Sequence, residues 1–286
     1  MPRLFQAADA ASTKAQSQYL NGTRARLALI ALAAATGVGS WRAGRNDIDV
    51  LALFGVFFFI LALLIEVLLW QWRPDRRWYD GRAVAESAKT LGWKFAVCAD
   101  PFPRSVSTTV AQRALIERFD AIRGHYRDLE LSPLTTPAVS DWMVAQRAAA
   151  LEERRQTYLN SRLDDQLNWY STKQRYNRRR ATQWRVALVV LESLGAALSL
   201  VGAVTHLDVL LPPTIAAISG VVIAWLAVKQ HDLLARAYAA ATDDLASAKA
   251  RLQLVSGEDA WAREVADAED AISREHTLWL ASRSQR

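Results

Sequence analysis

Between Val50 and Trp70 the chain reads VLALFGVFFFILALLIEVLLW, with Glu66 as its single charge. A helix rises ~1.5 Å per residue, so this run is about 30 Å long, enough to cross the hydrocarbon core of a bilayer. Three further apolar stretches accompany it. Leu27–Trp41 is shorter and richer in Ala and Gly, and the polar loop Arg42–Asp49 connects it to the long run. Val186–Thr205 and Val209–Val228 are joined by a short turn around His206-Leu207-Asp208. Pro212-Pro213 falls in the first turn of that last helix, where a missing N–H costs little. The expectation is an all-α integral membrane protein with four transmembrane helices, arranged as two hairpins with long cytoplasmic helical extensions.

Composition supports the same reading. Hydrophobic residues make up 51% of the 286, yet mean hydropathy is close to zero, so apolar and polar residues are strongly segregated. The net charge is +6. Its basic clusters flank the apolar stretches, which points to lipid headgroups and away from nucleic acid. Arg24 and Arg26 precede the first stretch, and Arg73, Arg76 and Arg77 follow the second. Lys173, Arg175, Arg178, Arg179, Arg180 and Arg185 precede the third, and Lys229 and Arg236 follow the fourth. By the positive-inside rule both termini and the middle region are cytoplasmic, although Arg42 and Arg45 run against it. Arg178, Arg179, Arg180 and Arg185 are the headgroup candidates. Trp41, Trp70, Trp72, Trp184 and Trp225 lie near span ends and read as interfacial anchors rather than a site.

The lone cysteine, Cys98, precludes a disulfide within the chain and a thiolate zinc site, and reads as a small core residue. No signal peptide is evident, because the first apolar stretch begins only near Leu27.

The polar segments are helical by pattern. No Gly or Pro occurs between Pro137 and Gly195, which predicts one unbroken helix from a cap at Ser140-Asp141 through the third span. Leu234, Tyr238, Ala241, Leu245, Ala248, Leu252 and Val255 form a heptad seam of coiled-coil type. After Gly257 a last helix carries the stripe Trp261, Val265, Ala268, Ile272 and Trp279. In the first half Pro74 opens a helix with the apolar face Val84, Ala88, Leu91 and Phe95. A further helix carries Leu115, Phe119, Ile122, Tyr126 and Leu129. Ser132–Pro137 is the natural linker. The chain thus divides into two membrane modules, residues 1–136 and 137–286, alike in architecture but not residue by residue.

Motifs for enzymatic chemistry are missing: no phosphate loop, Rossmann glycines, His-Glu-x-x-His or nucleophile elbow. The expectation is a non-enzyme without cofactor or metal. His125, His206, His231 and His276 lie in separate segments and read as ordinary surface or core residues.

Glu66 and Glu192 are in-span carboxylates, which normally face protein or water. They could line a cation path in an oligomer, with Ser199 as a further pore-lining candidate, or pair with nearby arginines. Small residues recur every four positions at Ala31, Ala35 and Gly39, and at Ala216, Gly220 and Ala224; Gly195 and Ser199 form a similar face. Such faces let membrane helices pack closely. Trp78, Arg82, Glu86, Lys89 and Trp93 share one face of the helix after the second span. They read either as a solvated, self-paired surface or as a buried polar junction against another helix, with a phosphate site through Arg82 and Lys89 as a third reading.

The run Arg77-Trp78-Tyr79-Asp80-Gly81-Arg82-Ala83-Val84-Ala85-Glu86-Ser87-Ala88-Lys89-Thr90-Leu91-Gly92-Trp93 resembles the signature of SLATT proteins, bacterial two-transmembrane effector domains associated with SMODS and SLOG proteins. Tyr158-Leu159 and Arg162-Leu163-Asp164-Asp165-Gln166-Leu167-Asn168-Trp169-Tyr170 resemble the stretch before a SLATT hairpin. Ser273-Arg274-Glu275-His276-Thr277-Leu278-Trp279-Leu280 resembles the ending of tandem members. The resemblance covers nearly the whole chain as two fused modules. It implies the bacterial inner membrane and an effector of conflict systems that permeabilises the membrane when a nucleotide-sensing partner is triggered. The expected function is an oligomeric, pore-forming or channel effector; the alternative is a non-conducting scaffold or sensor that recruits partners through its cytoplasmic helices.

Overall fold

The computed structural model describes residues 1–127, 129, 131, 138–205 and 211–284, and from 274 onward the backbone alone. The expected linker Ser132–Pro137, the turn His206-Leu207-Asp208, the start of the fourth stretch at Val209 and the Trp279 side chain lie outside the described residues.

The fold is helical almost throughout. Its elements are α1 (Arg3–Ala35), a 3-10 turn (Thr36–Val38), two-residue strands β1 (Arg42–Ala43) and β2 (Ile48–Asp49), α2 (Val50–Trp72) and α3 (Pro74–Ala96). Then follow α4 (Thr108–His125), α5 (Asp141–Ala148), α6 (Leu151–Tyr158), a π-helical segment (Leu159–Asp164), α7 (Asp165–Thr205), α8 (Leu211–Lys229), α9 (His231–Leu254) and α10 (Glu258–Ser284). Among the described residues three helical stretches, Val50–Ala96, Leu151–Thr205 and Leu211–Leu254, are long and apolar enough to cross a membrane. The first expected stretch is less regular than Leu27–Trp41 implied. Its α-helix ends at Ala35, and Gly39 is extended. The loop after it is a small antiparallel ribbon pairing Arg42 with Asp49 and Ala43 with Ile48. Asp49 caps α2, its carboxylate accepting from the N–H of Leu51 and Ala52.

The chain forms two compact units, and each draws on both halves of the sequence. One comprises Ser17–Pro74 and Arg175–Ala235; the other comprises Met1–Gln16, Asp75–Gln174 and Arg236–Arg286. The repeat boundary near residue 136 is therefore a division of sequence, and compactness follows polarity instead.

In the apolar unit α2 meets its neighbours along one seam. Gly55 and Ala62 are buried, while Leu51, Phe58, Ile65 and Leu69 are half-buried. The other faces are open: Leu53, Phe57, Phe59, Ile60 and Leu63 are each more than half exposed. Water would not tolerate so large an apolar surface, but a bilayer requires it. Gly55 is needed for close approach, since a Cβ there would stand 2.7 Å from the Thr36 hydroxyl. Gly195 plays the same part between α7 and α8, where a Cβ would lie 3.3 Å from Ile215 Cγ2. Arg73, after α2, and Gln230, after α8, both adopt left-handed backbone, with φ of 43° and 51°. The two sequence halves thus bend at equivalent joints.

The polar unit has two apolar clusters. In one, Leu4 and Ala8 of α1 pack with Val84, Ala88 and Phe95 of α3, Leu115 and Phe119 of α4, and Met143 of α5. The other joins Trp93 and Val97 to Tyr158, Leu163, Leu245, Leu252, Trp261 and Val265. The α9 seam thus packs inside the chain: Leu245, Ala248 and Leu252 are buried on α10 residues, with Tyr238, Ala241 and Val255 beside them.

The expected unbroken helix from Ser140 is corrected. Ser140 does cap a helix, accepting from Met143 N–H. That helix stops at Ala148, and Ala149 and Ala150 turn extended (ψ 162° and 154°) before α6 begins. No Gly or Pro makes this break. Arginine side chains take the released carbonyls instead: Arg104 donates to Arg147 O and Ala148 O, and Arg154 Nε donates to Ala149 O. Tertiary hydrogen bonds compensate for the lost helical ones.

Candidate functional site

Glu66 and Glu192, alike in sequence, differ in surroundings. Glu66 on α2 forms an ion pair with Arg26 of α1. That is the pairing alternative raised above, and it gives the carboxylate a counter-charge within the chain. Glu192 on α7 is exposed, and among the described residues no ion pair or hydrogen bond reaches it. Residues spaced four and three apart share a helix face, so Glu192, Ala196, Ser199 and Ala203 form one stripe. All four are exposed. Ser199 returns its hydroxyl to Gly195 O at 2.8 Å.

The small-residue faces separate in the same way. Gly195 is used between α7 and α8. Ala216 and Gly220 are exposed, and a Cβ on Gly220 would meet nothing within 4 Å. α8 instead buries Thr214, Ile215 and Ser219, with the Thr214 hydroxyl bonding Ala34 O. Ala224 and Ala31 are half-buried, whereas Ala35 and Gly39 are exposed. The buried residue of that part of α1 is Ala33.

In the polar unit the α3 face of Trp78, Arg82, Glu86, Lys89 and Trp93 lies against the start of α1 and against Trp142 and Tyr158. Trp78 O accepts from the Ser12 hydroxyl, Arg82 pairs with Glu86 at 2.7 Å and reaches Asp9 at 3.8 Å, and Lys89 stands over the Phe5 ring. Trp93 is buried, edge-on to Trp142 and Tyr158. Burial and then the Arg162 charge lower the Lys89 pKa, with Glu86 opposing.

Next to this face is a charge network that the sequence reading missed. Glu269 of α10, wholly buried, accepts two bonds from Arg162 (Nε 2.8 Å, Nη2 2.7 Å), one from Thr90 (2.9 Å) and one from the Tyr158 hydroxyl (3.1 Å). Burial is the largest single influence and disfavours the Arg162 cation, but the Glu269 charge and hydrogen bonds, with the Tyr158 and Glu86 charges, together outweigh it and the pKa is raised. Burial and then Glu269 push the Tyr158 hydroxyl well up, so it remains a donor. A signal was available: Glu269 falls four after Val265 and three before Ile272, a carboxylate within the apolar stripe. Arg147 is a second missed residue. Its buried guanidinium donates to the carbonyls of Phe95, Phe102, Pro103 and Val106 and fixes the segment after α3. Cys98 is buried there, as expected.

Arg178, Arg179, Arg180 and Arg185 are all exposed on α7; Arg185 pairs with Asp232 at 2.8 Å. Among the described residues no group of His, Cys, Asp or Glu is placed to hold a metal ion.

Apolar helices of membrane length in one unit and polar helices with buried ion pairs in the other define the class: an almost entirely helical protein suited to a membrane. More particularly, the chain belongs to the SLATT family, with two domains in tandem. The family model of SMODS and SLOG-associating 2TM effector domain 3 matches residues 2–155. That of SMODS and SLOG-associating 2TM effector domain 1 matches residues 158–279. No curated protein and no solved structure matches the chain.

Proposed function

We propose that this protein is a membrane effector whose copies associate into a conducting or permeabilising assembly. The carrying observation is the α7 stripe of Glu192, Ala196, Ser199 and Ala203. A carboxylate at the centre of a span costs roughly 2.5–3.5 kcal/mol on insertion scales, so it normally faces protein or water. Glu66 has its Arg26 partner within the protomer, whereas the Glu192 stripe is exposed there. In this reading a second copy covers the stripe and the stripe borders the path. The exposed Ala216 and Gly220 face of α8 supplies close packing between copies.

The reading has the apolar end of α1 complete the first hairpin, so that four spans cross the bacterial inner membrane. Both termini and the polar unit are cytoplasmic, on the side of the basic runs. A cytoplasmic partner, such as a nucleotide sensor, would act on the polar unit. The role needs neither a cofactor nor enzymatic chemistry.

The test is ionic current from full-length protein in planar bilayers, with oligomeric state measured in the same lipid. Wild type should conduct with cation preference. Glu192→Gln should move the reversal potential towards zero while leaving the melting temperature unchanged. A protein that stays monomeric in lipid and never conducts would sink the proposal and favour the non-conducting scaffold or sensor.

A further inference from the structure

Within the apolar unit lies a cavity of about 470 Å³ where α1, α7, α8 and the start of α9 converge. Its wall is layered in the same order on three helices. A cation stands at the polar end: Arg24 on α1, Arg180 on α7, Lys229 on α8. One turn further into each apolar stretch come Leu27 and Ala28, Trp184, and Trp225. Deeper still on α8 are Val221 and Val222. Three helices running in different chain directions thus present charge, then aromatic or aliphatic surface, at matching depth.

The cations are held in place. The Arg24 guanidinium stands 5.2 Å and the Lys229 ammonium 5.6 Å from the centroid of the same Trp225 ring, and Arg180 stands 5.5 Å from that of Tyr176. Among the described residues no Asp or Glu lines the cavity. The adjacent carboxylate, Asp232, is engaged by Arg185. His231 also faces the cavity, its Nδ1 bonded to Asn177 Oδ1 at 2.7 Å. The described lining is therefore cationic at its mouth and greasy at its base.

We infer that this cavity is a binding site for a phosphate-bearing ligand, with the phosphate among Arg24, Arg180 and Lys229. The layering fits an amphiphile best: phosphate at the cations, the polar backbone of a lipid beside Trp184 and Trp225, an acyl chain along Val221 and Val222. A soluble phosphomonoester would use only the cationic layer. Indole rings suit the middle layer because they are apolar with a polar edge. The inference is independent of whether the assembly conducts. It also differs from a diffuse attraction of the basic run, since Arg178 and Arg179 of the same helix do not line the cavity.

The experiment uses delipidated full-length protein in neutral detergent. Short-chain phosphatidylglycerol, phosphatidylcholine, inorganic phosphate and adenosine monophosphate are titrated separately, read by native mass spectrometry and quenching of tryptophan fluorescence. Wild type should bind phosphatidylglycerol saturably, and Arg24→Gln with Arg180→Gln should weaken it at least about tenfold. Arg178→Gln with Arg179→Gln removes the same charge outside the cavity and should leave affinity within about twofold. Melting in the absence of lipid checks that both variants fold. Should adenosine monophosphate or phosphate bind through the same arginines and the lipid fail to, the phosphate site stands with a soluble source. If no phosphate ligand binds, or both double variants lose affinity equally, the inference is overturned.

Discussion

Replacing Glu269 with alanine tests the reading of the polar unit most directly. The carboxylate is fully buried and accepts four hydrogen bonds from Arg162, Thr90 and Tyr158. Its removal leaves a guanidinium buried without a counter-charge, which costs about 3–5 kcal/mol. For a unit of this size each kcal/mol lowers Tm by about 2–4 °C, so the drop should be about 6–20 °C. Removing both charges is different, because well-packed apolar replacements of a buried pair are close to neutral. Arg162→Met with Glu269→Leu removes the charge imbalance and leaves only the Thr90 and Tyr158 hydroxyls without their acceptor, so it should melt above Glu269→Ala. The neighbouring Asp270 supplies a surface control. It pairs with Lys94 at 2.6 Å but is 57% exposed, so Asp270→Asn should cost under about 1 kcal/mol. The assay is tryptophan fluorescence against temperature in one detergent; Trp93 and Trp261, both buried in this unit, report its opening. If Glu269→Ala melts like wild type, or no worse than the double variant, the network does not hold the unit together and the reasoning is wrong.

Three further outcomes are expected. Arg147→Ala orphans four carbonyl partners and should cost about 2–4 kcal/mol, with hydrogen exchange accelerated between residues 97 and 107. His231, just beyond the α8 span, has its pKa lowered from 6.5 to about 4 by burial and then by Lys229 and Arg180. The unfolded chain takes up that proton more readily, so the stability contribution is full above pH 6.5 and is lost as pH falls towards 4; Tm should fall over that window, and His231→Gln should flatten the fall. Gly195→Val overpacks Ile215 and should cost about 1–3 kcal/mol, whereas Gly220→Val, facing open space, should leave protomer melting unchanged and weaken self-association on a sizing column.

Local signals read well where a single property decides. The run Val50–Trp70 lies within α2, Val186–Thr205 closes α7, Pro74 opens α3 and Ser140 caps α5. The seam spacing of α9 correctly marked its buried face, though the partners proved to be α7 and α10 within the chain. Where tertiary contacts decide, the same signals failed. The Ala149-Ala150 break has helix formers on both sides, and only the carbonyl bonds from Arg104 and Arg154 make it favourable. Trp184 and Trp225 read as anchors at span ends; that they also line a cavity where α1, α7 and α8 meet is visible only in the tertiary structure.

What the sequence determines by itself is composition along the chain: which stretches are apolar enough for lipid, where helices begin, and that two SLATT domains follow one another. Those are properties of one helix at a time, set by period, length and capping. Only the tertiary structure decided that each compact unit draws on both halves, that Arg26 takes Glu66, and that Glu269 receives Arg162 and Thr90. A charge partner 107 residues away, or a hydroxyl donor 179 away, leaves no mark on local periodicity. The cost of burying a charge fixes that a partner must exist, and packing alone selects which one.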